Sequence, residues 1–403
     1  MPWKETCVME ERIAFVAACL RDEAPMSSLC EAWGISRKTG YKWLDRYRCG
    51  GEAGLRDRSR APREHGRRMA PEISEMIAAL RRDRPHWGPR KLRAVLTMQH
   101  PGIIWPAAST IGDELRRQGL VQSRRRRPSL TGRTTDAFLP VTAANDLWCI
   151  DFKGWFRSAD GQRCDPLTVT DAHTRYVLAC EIVPTSTHKP VAQVVDGLFR
   201  RHGLPRTIRS DNGPPFASNG PGGLSRLSLG WLKAGISVER IAPGKPQQNG
   251  RHERFHLTLK QETTSPPAAT PEAQQARFDR FRHDFNTHRP HEALGQRPPA
   301  ALWRPSSRQM PRQPACPLYD AHHMTRKVRG SGEIKWGGQS IFISQTLAGE
   351  MVGIAETVDG DWLVRYHTMD LGILDLSRYR LRRFVPPRSG RHRTDISRIV
   401  LPM

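Results

Sequence analysis

The sequence predicts a multidomain protein with a helical N-terminal third, a mixed α/β middle and a small all-β C-terminal region. A chain of 403 residues is longer than one hydrophobic core usually organises, so two to four domains are expected. Helical periodicity fills the first third, buried-strand patterns begin at Asp146, and short β runs begin near residue 326. The predicted segments are 1–60, 70–123, a basic linker 124–145, a core 146–303, a second linker 304–325, and 326–385.

The charge of the chain indicates a polyanionic partner. Lys and Arg number 64 against 40 Asp and Glu, which gives a formal net charge of +24. Residues 1–135 hold 27 of these cations and 15 of the acids, so half of the excess lies in one third of the chain. Nucleic acid is the favoured partner, and an anionic membrane surface is the weaker alternative.

Cysteine usage and hydropathy predict a soluble protein of a reducing compartment. The eight cysteines contain no CxxC pair and are too sparse for a disulfide framework, which argues against a zinc module and an extracellular scaffold. No apolar run approaches the ~18 residues of a membrane span, and the first residues lack a signal-peptide pattern.

The N-terminal segment is typical of a helix-turn-helix. Helices are predicted over 10–20 and 27–33, followed by Gly34, the capping residue Ser36 and a basic helix over 37–47. The bland alternative is a three-helix bundle with a solvated basic face, but the overall charge favours DNA reading. The candidate DNA-binding residues here are Arg37, Lys38, Lys42 and Arg46.

A second helical unit follows an arginine-rich linker at 56–68. Helical spacing recurs over 72–82, 88–98 and 109–118, and the last of these helices is expected to end at Gly119. We interpret this unit as a second helix-turn-helix.

The middle of the chain alternates strands and helices. Strands are predicted over 147–152, 167–170, 176–183 and 207–210, with an amphipathic helix over 191–201. Helices over 247–262 and 278–286 complete a mixed α/β order. Beyond residue 325, five short β runs and the hairpin signal Asp359-Gly360 predict a small β-barrel.

Three acidic residues stand out by their placement. Asp151 carries a charge on a buried apolar strand, Asp211 directly follows a parallel strand, and Glu253 lies on a polar helix. Carboxylates converging from these elements would form an oxygen-only site suited to Mg²⁺ or Mn²⁺. On the same helix, His256 and Lys260 fall near the face of Glu253, and Lys260 would hold a scissile phosphate. An exposed helix face without chemistry is the alternative.

Four strings in succession resemble the DDE transposases of bacterial insertion sequences, whose core is similar to retroviral integrases. They are LWCIDFKG at 147–154, RSDNGPPF at 209–216, GKPQQNGRHER at 244–254 and NTHRPHEALG at 286–295. The resemblance implies a ribonuclease-H-like fold with a mixed five-stranded sheet. It carries over Asp151, Asp211 and Glu253 as catalytic residues and metal ligands. The string at 244–254 also holds the DNA-binding candidates Lys245 and Arg251, and a further candidate, Lys260, follows on the same predicted helix.

The sequence departs from the family pattern in two places. The interval between Asp211 and Glu253 is longer than usual, and the Gly- and Ser-rich segment 218–229 is expected to absorb the excess as a surface loop. Glu239 lacks the surrounding string, and Asp171 lies in a turn that favours a structural role. Helix-turn-helix units stand where retroviral integrases carry a His/Cys zinc module.

The expected activity is metal-dependent phosphoryl transfer on DNA. Two divalent ions would share the carboxylates, with Asp151 best placed to bridge them, for in-line displacement at phosphorus. The resemblance implies binding of terminal inverted repeats, 3′-end cleavage and strand transfer by a homo-oligomer on DNA, in the bacterial cytoplasm near the nucleoid. Two alternatives stay open: a domesticated DNA-binding regulator, and a ribonuclease-H-like nuclease that cuts without joining.

Overall fold

The computed structural model describes residues 7–57, 69–121, 140–241, 248, 250–314 and 316–383. Its contacts divide the chain into two compact units, Met1–Ala70 and Pro71–Met403. The finer domain boundaries predicted within the second unit stay predictions. Within the described residues, no helix has the length and apolar character needed to cross a membrane.

The first unit contains the three predicted helices: α1 (Val8–Leu20), α2 (Met26–Ala32) and α3 (Arg37–Gly50). The Ser36 side chain accepts the backbone N–H of Thr39 and so caps α3. Gly34 has φ 63° in the turn between α2 and α3, a conformation that favours glycine. The core of this unit is formed by Phe15, Val16, Leu29, Trp43, Leu44 and Leu55.

The second unit begins with α4 (Pro71–Asp83), α5 (Pro89–Gln99) and α6 (Ala108–Arg117), as the periodicity predicts. Ile77, Leu92 and Ile111 are fully buried between them. Ser74 on α4 donates to the buried carboxylate of Glu114 on α6 at 2.7 Å, which ties the first helix to the third.

A mixed sheet forms the centre of the second unit. Its strands are β1 (Leu147–Phe152), β2 (Phe156–Arg157), β3 (Arg163–Asp171), β4 (Val177–Val183), β5 (Thr207–Ser210) and β6 (Ser237–Arg240). The pairs β4–β3 and β3–β1 are antiparallel, whereas β1–β5 and β5–β6 are parallel. The predicted mixed sheet of five main strands is confirmed, with the two-residue β2 beside β3.

Four helices flank this sheet. The helices α7 (His188–His202) and α8 (Arg226–Lys233) pack against Trp148, Ile150 and Ile208 on one face. The helices α9 (Gly250–Thr263) and α10 (Pro271–Thr287) pack against Val177 and Cys180 of β4 and form a separate hydrophobic cluster there.

The expectation of a surface loop over 218–229 is wrong in its second half. Helix α8 begins at Arg226, and Ser225 caps it by a reciprocal hydrogen-bond pair with Ser228. Leu227 and Trp231 are buried in the core of the mixed sheet, whereas Leu224 is buried in the core of the C-terminal region. The apolar spacing from Leu227 to Leu232 overrides the Gly- and Ser-rich composition ahead of it.

The C-terminal region is all-β in its described residues. The strands are β7 (Met324–Lys327), β8 (Glu333–Trp336), β9 (Gln339–Phe342), β10 (Met351–Glu356), β11 (Trp362–Tyr366), β12 (Met369–Asp375) and β13 (Arg380–Arg382). Five antiparallel strands pair in the order β13–β12–β11–β10–β7, with a hairpin of β8 and β9 beside them. The sheet and the hairpin share one core that includes Ile334, Ile341, Ile354 and Tyr366. Closure into a barrel is not among the described pairings and stays a prediction.

Candidate active site

The register of two parallel strands places the first two acids side by side. Leu147 of β1 pairs with Thr207 of β5, and Cys149 pairs with Arg209. The same register continued by two residues sets Asp151 beside Asp211, on strands ~4.8 Å apart. Paired residues of parallel strands project to the same face of a sheet. The assignment of both carboxylates to one site stays a prediction.

Desolvation dominates the environment of Asp211. Its carboxylate is half-buried and accepts the backbone N–H of Gly213 at 3.2 Å. Burial raises the pKa of Asp211, and the Gly213 hydrogen bond opposes that rise. A half-buried carboxylate is poorly hydrated in its charged form. A nearby cation, such as a bound metal ion, would stabilise that charged form.

Two histidines of α9 lie against Asp151. Ligand atoms of Asp151, His252 and His256 all lie within 4.8 Å of one another. Both imidazole Nε2 atoms lie 2.7 Å from Thr168 Oγ1, which also donates to the backbone carbonyl of Asp151 at 3.0 Å. The second nitrogen of His252, Nδ1, lies 3.2 Å from Thr170 Oγ1.

Both histidines are neutral at physiological pH. Burial lowers the pKa of His252 well below its usual value, helped by His256. Burial, and then the charge of Lys153, lowers the pKa of His256 to about 4. His252 was not among the residues predicted for the site. It lies four residues before His256, so the two side chains share one face of α9.

The third acid stands apart from this cluster. Glu253 lies in the first turn of α9 with an exposed side chain, while its neighbour His252 is buried against the sheet. Among the described residues, neither Asp211 nor Glu253 joins Asp151 in the 4.8 Å group. The assignment of Glu253 as a metal ligand stays a prediction.

Two lysines approach each other beside this cluster. Lys260 is exposed on α9, and its charge adds to burial in lowering the pKa of Lys153. Lys153 also lies 5.1 Å from the Phe156 ring centroid. Lys260 was predicted for the site and Lys153 was not, although Lys153 belongs to the string that contains Asp151.

The other acids weighed in the sequence have structural roles. Glu239 forms an ion pair with Arg209 at 2.9 Å between β6 and β5. The buried Asp171 accepts the backbone N–H of Asn145 and both the backbone N–H and hydroxyl of Thr174, each at 2.7 Å. Both carboxylates are therefore occupied in holding the sheet and its turn.

The available oxygen donors fit a hard divalent cation. The Thr168 hydroxyl donates to Asp151, so the Nε2 atoms of His252 and His256 donate to it, and Nδ1 of His252 accepts from Thr170. This pattern occupies both ring nitrogens of His252. Carboxylates such as those of Asp151 and Asp211 are the donor type that suits Mg²⁺ or Mn²⁺, and their assignment as metal ligands stays a prediction.

The predicted DNA-binding residues of the first unit lie on α3. Arg37, Lys38 and Lys42 are exposed, and the half-buried Arg46 stacks over Trp43 at 5.0 Å from the ring centroid. In the second unit, Arg251 is exposed at the start of α9. Lys245 lies outside the described residues.

Comparisons with known proteins agree with these features. Residues 141–246 and 234–299 each match an integrase core domain family, residues 11–63 match a helix-turn-helix domain, and residues 39–115 match a homeodomain-like domain. These matches indicate a DNA-binding protein.

Two relatives come from bacterial insertion elements. An uncharacterized 31.7 kDa protein of IS407 from Burkholderia multivorans is 29% identical over 231 residues, 57% of this chain and 79% of the relative. An uncharacterized 39.2 kDa protein of IS476 from Xanthomonas euvesicatoria is 27% identical over 230 residues, 57% of this chain and 63% of the relative. The chain thus spans less than two thirds of the second relative.

Among solved structures, the catalytic core domain of BIV integrase aligns with 40% of this chain and 93% of its own length. The sequence identity is 21% and the TM-score is 0.31.

Proposed function

We propose that this chain, a member of the insertion-sequence transposases with a retroviral-integrase-like core, binds the terminal inverted repeats of its element and transfers their 3′ ends into target DNA. The catalytic group is assigned to Asp151, Asp211 and Glu253, with two Mg²⁺ or Mn²⁺ ions as cofactors. The observation that supports this proposal most is the parallel register of β1 and β5, whose last described pair is Cys149 with Arg209. Continued by two residues, this register would bring Asp151 level with Asp211.

Each residue of the site has a distinct task. Asp151 and Asp211 would hold the divalent ions, with Asp151 bridging them. Such ions stabilise the charge that develops on the attacking and leaving oxygens of a phosphodiester. Lys153 and Lys260 bind and orient the scissile phosphate, and the charge of Lys260 contributes to the lowered pKa of Lys153.

Glu253 completes the proposed carboxylate set. Its side chain is exposed on the first turn of α9, where it would meet approaching DNA. The buried neighbour His252 fixes the rotation of the helix about its axis through Thr168 and Thr170. An element has two ends. Because both ends would be processed together, we expect a homo-oligomer of this chain on the DNA.

The test is a strand-transfer assay with labelled oligonucleotides that carry the element's terminal repeat. Asp151→Asn, Asp211→Asn and Glu253→Gln should each reduce joined product by at least about 1000-fold, as expected for loss of a metal-binding carboxylate. End binding should persist in each variant. Asp279→Asn, on α10 away from the cluster, is the matched control and should join normally.

The products separate this proposal from its rivals. Nicked but unjoined ends in the wild type would identify a nuclease, and end binding without any cleavage would identify a DNA-binding regulator. Full activity of Glu253→Gln alone would remove Glu253 from the catalytic group and leave the other two assignments standing.

A further inference from the structure

Three side chains of different chemistry converge beside Thr168. Asp151 and Thr168 are partners in the antiparallel register of β1 and β3, so both side chains project from the same face of the sheet. Helix α9 brings His252 and His256, which share one helix face, against the Thr168 hydroxyl. One carboxylate oxygen of Asp151 and one ring nitrogen of each histidine therefore lie within 4.8 Å of one another.

The two imidazole rings are directed at a single point. The Nε2 atoms of His252 and His256 both lie 2.7 Å from Thr168 Oγ1, and the ring centroids are 4.6 Å apart at an interplanar angle of 86°. Two histidines four residues apart on a helix, with nitrogens aimed at one place, are an arrangement that holds transition-metal ions in proteins. The Thr168 hydroxyl lies at that place in this structure.

The ring of His252 is also held from its far side. Its side chain is buried, with 2% exposure, and its Nδ1 atom lies 3.2 Å from Thr170 Oγ1. In the tautomer that carries the proton on Nδ1, this nitrogen donates to Thr170, and Nε2 directs a lone pair toward Thr168. A hydrogen bond from the second ring nitrogen orients metal-binding histidines in the same way.

The ligand types select the class of ion. Two imidazole nitrogens and one carboxylate oxygen suit Zn²⁺ and its close chemical relative Co²⁺, whereas Mg²⁺ prefers oxygen ligands alone. Three protein ligands leave a fourth tetrahedral position for water. Zinc–nitrogen bonds of ~2.0–2.1 Å are shorter than the contacts that both rings make with Thr168, so the ion would replace the hydroxyl between the rings.

We propose that Asp151, His252 and His256 bind a zinc-class ion. This ligand set differs from the carboxylate set assigned to Mg²⁺ or Mn²⁺ and shares only Asp151 with it. An ion held by the two histidines engages the Asp151 carboxylate and withdraws it from the catalytic ions, so zinc is a reversible inhibitor. Only this inhibition rests on the proposed function, because binding of the ion requires neither DNA nor catalysis.

The test uses Co²⁺ as a spectroscopic probe of the site. Its visible absorption is intense in tetrahedral surroundings and weak in octahedral ones, so the spectrum reports the geometry of the bound ion. Co²⁺ is titrated into the full chain without a histidine tag and without Mg²⁺. The intense band should grow until each chain holds a single ion, and added Zn²⁺ should abolish it.

Substitutions identify the ligands. Asp151→Asn and His256→Gln should each weaken Co²⁺ binding at least about tenfold, and circular dichroism verifies that each variant is folded. The matched control is the double change His283→Gln and His288→Gln, which removes an exposed pair of histidines at the end of α10 and should leave the band intact. Thr168→Ala should tighten Co²⁺ binding, because it removes the hydroxyl that the ion must displace.

The spectra also separate this site from a site made of carboxylates alone. Asp211→Asn should retain the intense band. A band that disappears in Asp211→Asn but persists in His256→Gln would overturn the inference, and so would a weak octahedral spectrum in the wild type. Weaker Co²⁺ binding in Thr168→Ala would contradict the position of the ion between the two rings.

The inhibition is measured by strand transfer in Mg²⁺ with increasing Zn²⁺, each protein being compared with its own activity without zinc. His256→Gln should need at least about tenfold more zinc than the wild type for the same fractional inhibition. A cobalt band that depends on His256 in a protein that never joins DNA would support the site and contradict the proposed function. Joining of DNA by a protein without such a band would support the function and overturn the inference.

Discussion

Thr168 on β3 and His252 on α9 are joined by a 2.7 Å hydrogen bond between Oγ1 and Nε2. The same hydroxyl meets His256 Nε2 at 2.7 Å and donates to the Asp151 carbonyl at 3.0 Å. One threonine hydroxyl, with one proton and two lone pairs, is thereby fully used. It connects the strand that carries Asp151 to the helix that carries Glu253.

Replacing Thr168 by valine should separate these elements. The change keeps the shape but removes the acceptor of the imidazole N–H groups of His252 and His256, at a cost of about 1–3 kcal/mol for each group left unsatisfied. Urea denaturation should show the loss of stability, and strand transfer should fall more steeply than end binding.

Thr168→Ser is the matched control, because it retains the hydroxyl. It should restore most of the strand-transfer activity that valine removes. Equal defects in serine and valine variants would mean that the methyl group, and not the hydrogen bonds, supports the site.

The positions of Asp151 and Asp211 were predictable because each depends on local pattern. Asp151 lies on an apolar strand, and Asp211 directly follows a strand. Each of these local patterns predicts the position of its acid on the sheet without information from the rest of the chain. The orientation of α9 was not predictable, since it depends on Thr168 and Thr170, over eighty residues away in sequence. Strand β6 is short and polar, and only its pairing with β5 identifies it.

Neutralising the exposed face of α3 should weaken DNA-end binding. Arg37→Gln, Lys38→Gln and Lys42→Gln, combined, remove three exposed cations from the helix predicted to enter the major groove. Each lost phosphate contact should flatten the slope of log K against log salt by about 0.9. Titrations at several salt concentrations measure this slope. Unchanged affinity and slope would assign end recognition to another surface, and Arg21→Gln, exposed beyond α1, is the control.

Gly54→Ala should destabilise the first unit. An added Cβ would lie 2.1 Å from the backbone carbonyl oxygen of Arg46, which cannot move without disturbing α3. Overpacking of this kind costs about 1–3 kcal/mol. Gly50→Ala, where an added Cβ meets no atom within 4 Å, should change stability little. Thermal unfolding followed by near-ultraviolet circular dichroism compares the two, and similar midpoints would contradict the packing of Gly54 on α3.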